Sequence, residues 1–447
     1  MSVQQLADFR RDAILHGPVI PTMLALALPT LIVIAAQTFV AVLEAYWISR
    51  LGTDAVAGVS LVLPLFVLMG TMSNGGIGGG VSSAIARAIG GGRAEDANAL
   101  LAHSVLIAVL FGAAFMGAML YGGPSIYAAL GGNGAAMVQA LAYSHWVFGL
   151  SVPIWLVNLI SSALRGAGEV KLPARISLLG ALLLIPLVPA LMFGFGPLPR
   201  LEIAGAGIAL GLYYGGALAV LLRYVLRGKG VLTLSMHPPI KQHVAAIMGV
   251  GLISALGTLT ASLTTVAITG IVGGYGAAPL AGFGIASRVD SLLVPLLFGL
   301  GTAVVTMIGI ATGAGDAARA RKVAWTAAAL AFGVTEAIGV LLFFAPQLWN
   351  GIFSTDPEVL QAGNAYFAAV APVYGLIGLG LVLFFACQGR GKMAWPFTAG
   401  IARLILTALG AWALASAGAS LPLLFIAVTA GAALFGAINA YGFWRSS

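Results

Sequence analysis

Pro29, Gln37 and Glu44 lie along one long apolar run near the N-terminus, Pro29-Thr-Leu-Ile-Val-Ile-Ala-Ala-Gln37-Thr-Phe-Val-Ala-Val-Leu-Glu44. In a helix Gln37 and Glu44 are about two turns apart and share a face. Pro29 lacks a backbone N–H and its ring crowds the preceding turn, so the helix is expected to bend there. A carboxyl within a membrane span is costly to keep and is a functional candidate by default. A bend, an amide and an acid on one stripe suit a gated site for a proton or a small cation. The plainer reading is a solvated Glu44. Counted from Val19, it lies about 38 Å along a helix that rises 1.5 Å per residue, past a core of about 30 Å unless the helix tilts or bends. Gln37 is deeper, where an amide also serves as interhelical glue.

A second charged group comprises Arg288, Asp290 and Arg403. Counted from the ends of their spans, Asp290 and Arg403 reach similar depth near the midplane. They are expected to form an ion pair, or to bridge through water, which removes two isolated charges from the apolar interior. The functional alternative is a charge relay. Glu336 lies nearer the outside, in a solvated or packing role.

Phe39, Phe66, Met69, Met72, Trp155 and Tyr374, with Met307, are candidates to line an adaptable cavity, because Met and aromatic groups re-pack around varied ligands. Helix or lipid contact is the plainer role for each. Asn74, beside Ser73, and Asn158 are polar groups expected to face a wet cavity rather than lipid. His16, His103, His145, His237 and His243 are scattered and Cys387 is the single cysteine. A bound metal or a disulfide is therefore not expected, nor any cofactor besides the coupling ion. Gly75-Gly-Ile-Gly-Gly-Gly80 lacks the Gly-Lys-Ser/Thr ending of a phosphate loop. Neither paired acids nor a Ser/His pair nor His-Glu-x-x-His supports an intramembrane enzyme.

The elements that carry these residues follow from composition. The chain has 447 residues, 60% hydrophobic and 8% charged, against about a quarter charged in soluble domains. It reads as an all-α integral membrane protein. Spans need about 20 apolar residues, and twelve are expected, roughly at 19–47, 55–80, 97–122, 135–163, 172–195, 202–226, 241–271, 279–311, 320–346, 358–387, 393–416 and 420–444. The net charge of +8 sits in short connections rather than on a soluble surface, so nucleic acid is not a partner. Of the 21 Lys and Arg, only Arg50 and Arg200 fall on the side opposite the termini, and Arg288 and Arg403 fall within spans. Both termini are therefore expected in the cytoplasm, in the plasma or inner membrane.

The halves repeat. Leu51-Gly-Thr-Asp-Ala-Val-Ala-Gly58 aligns with Tyr275-Gly-Ala-Ala-Pro-Leu-Ala-Gly282 at an offset of 224 residues. Gly90-Gly-Gly-Arg-Ala-Glu-Asp-Ala97 aligns with Gly313-Ala-Gly-Asp-Ala-Ala-Arg-Ala320, and Arg165-Gly-Ala-Gly168 with Gln388-Gly-Arg-Gly391, both at 223. An even number of spans separates the copies, so the repeat is parallel, with a substrate site expected at the repeat interface. The expectation is two six-helix lobes, 1–235 and 236–447, around a central cavity.

In these blocks, with Ala84-Ile-Ala-Arg-Ala-Ile-Gly-Gly-Gly92, Leu164-Arg-Gly-Ala-Gly-Glu-Val-Lys171 and Gly284-Ile-Ala-Ser-Arg-Val-Asp290, the chain resembles the multidrug and toxic compound extrusion (MATE) family over essentially its whole length. The resemblance implies export of drugs or metabolites driven by inward H⁺ or Na⁺. Many relatives carry aspartate at the position of Glu44. Acids that some branches add in helices 5, 7 and 10 are absent: Leu184, Val188 and Ala261 stand at three of those places, and Val373–Gly380 carries no acid. A lone carboxyl suits a proton better than Na⁺, because it can be neutralised without further ligands. The resulting expectation is a monomeric antiporter amid membrane lipids, exporting amphipathic, cationic small molecules for protons with Glu44 and Gln37 at the coupling site. The alternatives are a lipid-linked sugar flippase of the same superfamily and a Na⁺-coupled or substrate-specific metabolite exporter.

Overall fold

The computed structural model describes residues 3–195, 199–235, 238 and 240–446, and His237 lies outside them. The described residues contain helices and no strand. The first half holds α1 (Val3–His16), α2 (Val19–Ser49), α3 (Thr53–Thr71), α4 (Ile77–Gly90), α5 (Ala94–Ala129), α6 (Gly134–Gly149), α7 (Ser151–Gly166), α8 (Lys171–Phe193) and α9 (Glu202–Leu226). The second holds α10 (Lys241–Gly273), α11 (Ala277–Ala286), α12 (Arg288–Gly313), α13 (Ala317–Phe344), α14 (Gln347–Phe353), α15 (Pro357–Val370), α16 (Tyr374–Arg390), α17 (Ala394–Ser416) and α18 (Leu421–Arg445). Among the described residues, 11 segments are long and apolar enough to cross a membrane, and the pair α6–α7, bent by 46°, makes the twelfth. Spans 2 and 3 run past their apolar stretches until glycines in the left-handed region end them, Gly92 at φ 71° and Gly131 at φ 91°. The α2 helix is continuous across Pro29, so the proline removes one ladder bond without ending the helix.

Contacts divide the chain into two compact units, Met1–Ala13 with Leu28–Gly251, and Ile14–Ala27 with Leu252–Ser447. The division falls at Gly251 within α10 rather than at the expected 235/236. The reason is a close helix approach within the first unit. A Cβ on Gly80 would meet Ile247 O at 2.4 Å, and one on Gly251 would meet Ile77 Cα at 2.8 Å. The connection before α10 is also held to this unit. Val231 and Leu232 are buried, Thr233 N–H donates to Asn98 Oδ1 at 2.8 Å, and Ile240 N–H donates to His103 Nε2 at 2.8 Å. The α1 helix, which lies outside the expected spans, is tied down by Arg10, which donates to Gly168 O at 2.9 Å and pairs with Glu169 at 3.7 Å. In the second unit Arg319 caps the end of α1, donating to Ile14 O at 2.8 Å and Gly17 O at 2.5 Å.

Each unit repeats the other's internal packing. Gly52 and Gly276, just before α3 and α11, have φ of 111° and 119° with ψ of 173° in both, a conformation that a side chain would strain. Gly58 packs on Ala136, Gln139 and Ala140, and Gly282 on Val359, Ala362 and Gly363. Gly78 packs on Ser162 and Gly301 on Phe385. The glycine offset is 224 at Gly58 and 223 at Gly78, so the first copy carries one extra residue between them. That interval contains a π-helical turn, Met72–Gly76. A π-bulge is the form a one-residue insertion takes in an α-helix, and such turns recur at functional sites.

Candidate functional site

In the first unit Glu44 lies on α2 and its Oε1 accepts a hydrogen bond from Tyr143 of α6 at 3.1 Å. Among the described residues, no Lys, Arg or His pairs with it within 4.0 Å. Tyr213 and Tyr214 of α9 extend the group, their rings 4.6 Å apart. Tyr214 interacts electrostatically with Glu44, and the Tyr213 hydroxyl is within reach of Ser177 and Gln37. Sequence reasoning missed all three tyrosines. The available signal was a Tyr-Tyr pair inside an apolar span, since a buried tyrosine hydroxyl usually finds a partner.

The π-helical turn aims Ser73 and Asn74 at α7. Asn158 Nδ2 donates to Ser73 Oγ at 2.8 Å, and Arg165 donates to Asn74 Oδ1 at 2.5 Å and to Ser162 Oγ at 2.7 Å. Asn74 and Asn158 therefore serve a seam inside the lobe and keep only partial exposure. Asn158→Leu is expected to lower stability by about 1 kcal/mol, as interhelical hydrogen bonds in membranes do. A thermal melt in detergent reads that small shift. Unchanged stability with lost efflux would instead place Asn158 against substrate.

The aromatic and methionine candidates separate by exposure. Phe39 is exposed, and Phe66 and Met72 are half-buried. Met69, Trp155 and Tyr374, expected to line a cavity, are each 0% exposed. They are buried in the cores of their lobes, and Trp155 stacks on Phe111 at 5.3 Å.

In the second unit the eighth span breaks at Ser287 between α11 and α12, placing Asp290 in the first turn of α12, where the helix dipole favours a carboxylate. Tyr366 of α15 donates to Asp290 Oδ2, and Tyr374 of α16 donates to Oδ1 at 2.6 Å. Phe283 and Phe425 pack against the Tyr366 ring at 5.5 and 5.2 Å. Arg403 interacts electrostatically with Asp290, but no ion pair within 4.0 Å joins them. Its guanidinium stands over the Phe435 ring at 5.6 Å. The expected direct ion pair is replaced by two tyrosine donors, because similar depth along two helices does not turn their side chains toward each other. Arg288 is exposed and lies over Phe353 at 5.6 Å, apart from the carboxylate. Glu336 accepts from the Gly375 N–H at 2.7 Å, satisfying a free donor at the start of α16. Among the described residues, no group of three or more His, Cys, Asp or Glu is placed to hold a metal.

The family model described as MatE matches residues 29–190 and 254–413. Among curated relatives, an FAD transporter of Shewanella oneidensis is 26% identical over 91% of this chain and 90% of that protein. A probable multidrug resistance protein NorM of Thermotoga maritima is 25% identical over 91% of this chain and 85% of its own length. A multidrug export protein MepA of Staphylococcus saprophyticus is 24% identical over 90% and 88%. Among solved structures, a MOP superfamily transporter from Pyrococcus furiosus superposes with a TM-score of 0.88 at 21% identity, covering 97% of each chain. An outward-facing multidrug resistance MATE transporter superposes at 0.86 and 22% identity, again over 97% of each. At these identities the structural likeness speaks for the fold.

Proposed function

The chain belongs to the MatE family of multidrug efflux transporters, and from that premise we propose that it exports amphipathic, cationic small molecules in exchange for protons, with Glu44 binding the coupling proton. Members of the family are transporters, not enzymes. The observation that carries the proposal is the setting of Glu44: an acid on a membrane span whose direct partner is a tyrosine hydroxyl rather than a cation. A tyrosine O–H donates to a carboxylate and its oxygen accepts from a carboxylic acid, so the same neighbour serves both protonation states. A guanidinium would serve only one. Coupling requires a proton that stabilises one transport conformation over the other, and a group that can be held in either state meets that need. In this reading the chain acts as a monomer with both termini in the cytoplasm, as the distribution of Lys and Arg indicates.

The test is transport by the purified protein in liposomes loaded with ethidium, under an imposed pH gradient or an imposed Na⁺ gradient. A pH gradient is expected to drive efflux and a Na⁺ gradient is not. Efflux that follows only Na⁺ would overturn proton coupling. A second substrate reading, an anionic nucleotide-like metabolite, draws support from the exposed Arg288 and from the relative named as an FAD transporter. FAD in place of ethidium in the same liposomes separates the two.

A further inference from the structure

We infer that Asp290 is a second proton-binding carboxyl, seated in the second lobe by the repeat counterpart of the tyrosine that holds Glu44. The inference rests on the proton-coupled reading given above and adds a site to it.

Tyr143 and Tyr366 stand 223 residues apart, the repeat offset of their span. They are 2% and 1% exposed, and each donates to a carboxylate from another helix of its own lobe. The acids, however, are not counterparts. At the offset of 224 that holds before the π-helical turn, Glu44 corresponds to Ile268 and Asp290 to Phe66. Each lobe therefore builds its fold with an apolar residue where the other carries its acid. The fold requires a carboxyl at neither position, yet both lobes place one on the same tyrosine. An acid that costs desolvation and that the architecture can do without is kept for what its charge does.

The groups around Asp290 allow it to gain and lose a proton. Tyr366 from α15 and Tyr374 from α16 can donate to the carboxylate or accept from the acid. Arg403 from α17 acts on it through space, with its head on Phe435 rather than on a carboxylate oxygen. Arg288, on the same helix, is turned to Phe353. Glu336 from α13 is engaged by the Gly375 N–H, next to Tyr374. Proton binding at Asp290 forms one O–H bond, with the proton taken from water. It leaves Arg403 without its counter-charge, so the charge of this part of the lobe rises by one unit and can bias the lobe's conformation.

Infrared difference spectra of the full chain in liposomes, recorded between mildly acidic buffer in which exposed carboxyls are already ionised and alkaline buffer, report the C=O stretch of each carboxyl still protonated at the start. The wild type is expected to lose two such bands on raising the pH, Glu44→Gln one, Asp290→Asn the other, and the double variant neither. If Asp290→Asn retains every wild-type band, the second site is overturned. If Glu44→Gln retains every band, it is the first site that fails, so the two readings are tested separately. Tyr366→Phe keeps the acid and guards against a misfolded Asp290 variant. It is expected to shift the frequency of the Asp290 band and leave the Glu44 band in place. A spectrum unmoved by Tyr366→Phe would also overturn the inference.

Discussion

Glu44→Gln is expected to fold, reach the membrane and lose pH-gradient-driven efflux, leaving only the downhill leak of the substrate. The amide keeps the shape of a protonated carboxyl and can still accept from Tyr143, so the local packing survives. What it loses is the charged state. A ligand shifts a conformational equilibrium only by its differential affinity for the two states, and moving one from 1:99 to 99:1 takes about 5.5 kcal/mol. With the proton site fixed as neutral, a pH gradient has nothing at this residue to act on, and a loss of about tenfold or more in driven efflux is expected. Glu44→Asp is one methylene shorter and is expected to keep partial activity with a displaced pH optimum. The measurement is ethidium efflux from vesicles against an imposed pH gradient at matched protein level. Undiminished driven efflux by Glu44→Gln would mean that the coupling proton binds elsewhere, and Asp290 would be the next place to look.

The one-dimensional part of this site was legible in the residues. Span number follows from apolar run length, and the repeat follows from glycine-bearing turns, because Gly52 and Gly276 hold a backbone conformation that few other residues adopt. Glu44 stood out because an acid on an apolar span is expensive. Its partners did not stand out. Tyr143 is 99 residues away in sequence, and nothing along a single helix says which neighbour it will meet. A direct Asp290–Arg403 ion pair is not formed for a related reason: depth counted from span ends fixes height, while azimuth around each helix decides contact. Met69, Trp155 and Tyr374 have side chains that suit ligands, yet the same side chains fill cores. The π-helical turn was present in the sequence only as the one-residue difference between two repeat offsets, and its place in span 2 needed the backbone.

Gly58→Val and Gly282→Val are expected to be strongly damaging single changes. A Cβ at Gly282 would stand 2.3 Å from Val359 O, 2.8 Å from Ala362 Cβ and 2.9 Å from Gly363 N. At Gly58 it would stand 2.7 Å from Ala140 N and from Gln139 Cβ, and 2.9 Å from Ala136 O. Most of these atoms are backbone, so no rotamer change relieves the clash and the helices must separate. Overpacking of this kind costs about 3 kcal/mol at the upper end of its usual range, and close glycine-mediated approach is what holds membrane helices together. The damage reaches the acids as well. Ala140 lies one turn before Tyr143, and Gly363 one turn before Tyr366, so each glycine seats the helix that carries its lobe's tyrosine. Separation at Gly58 draws Tyr143 away from Glu44, and separation at Gly282 draws Tyr366 away from Asp290. Gly70→Ala and Gly284→Ala are the controls, since a Cβ at either meets nothing within 4 Å. Thermal melts in detergent are expected to show a large loss for the two valine variants and little change for the two alanine variants. Where enough Gly58→Val protein survives, its pH-driven ethidium efflux is expected to fall further than its folded fraction does. Wild-type melting and wild-type coupling in Gly58→Val would show that the glycine crossing does not seat the tyrosine, and that Glu44 is positioned from α2 alone.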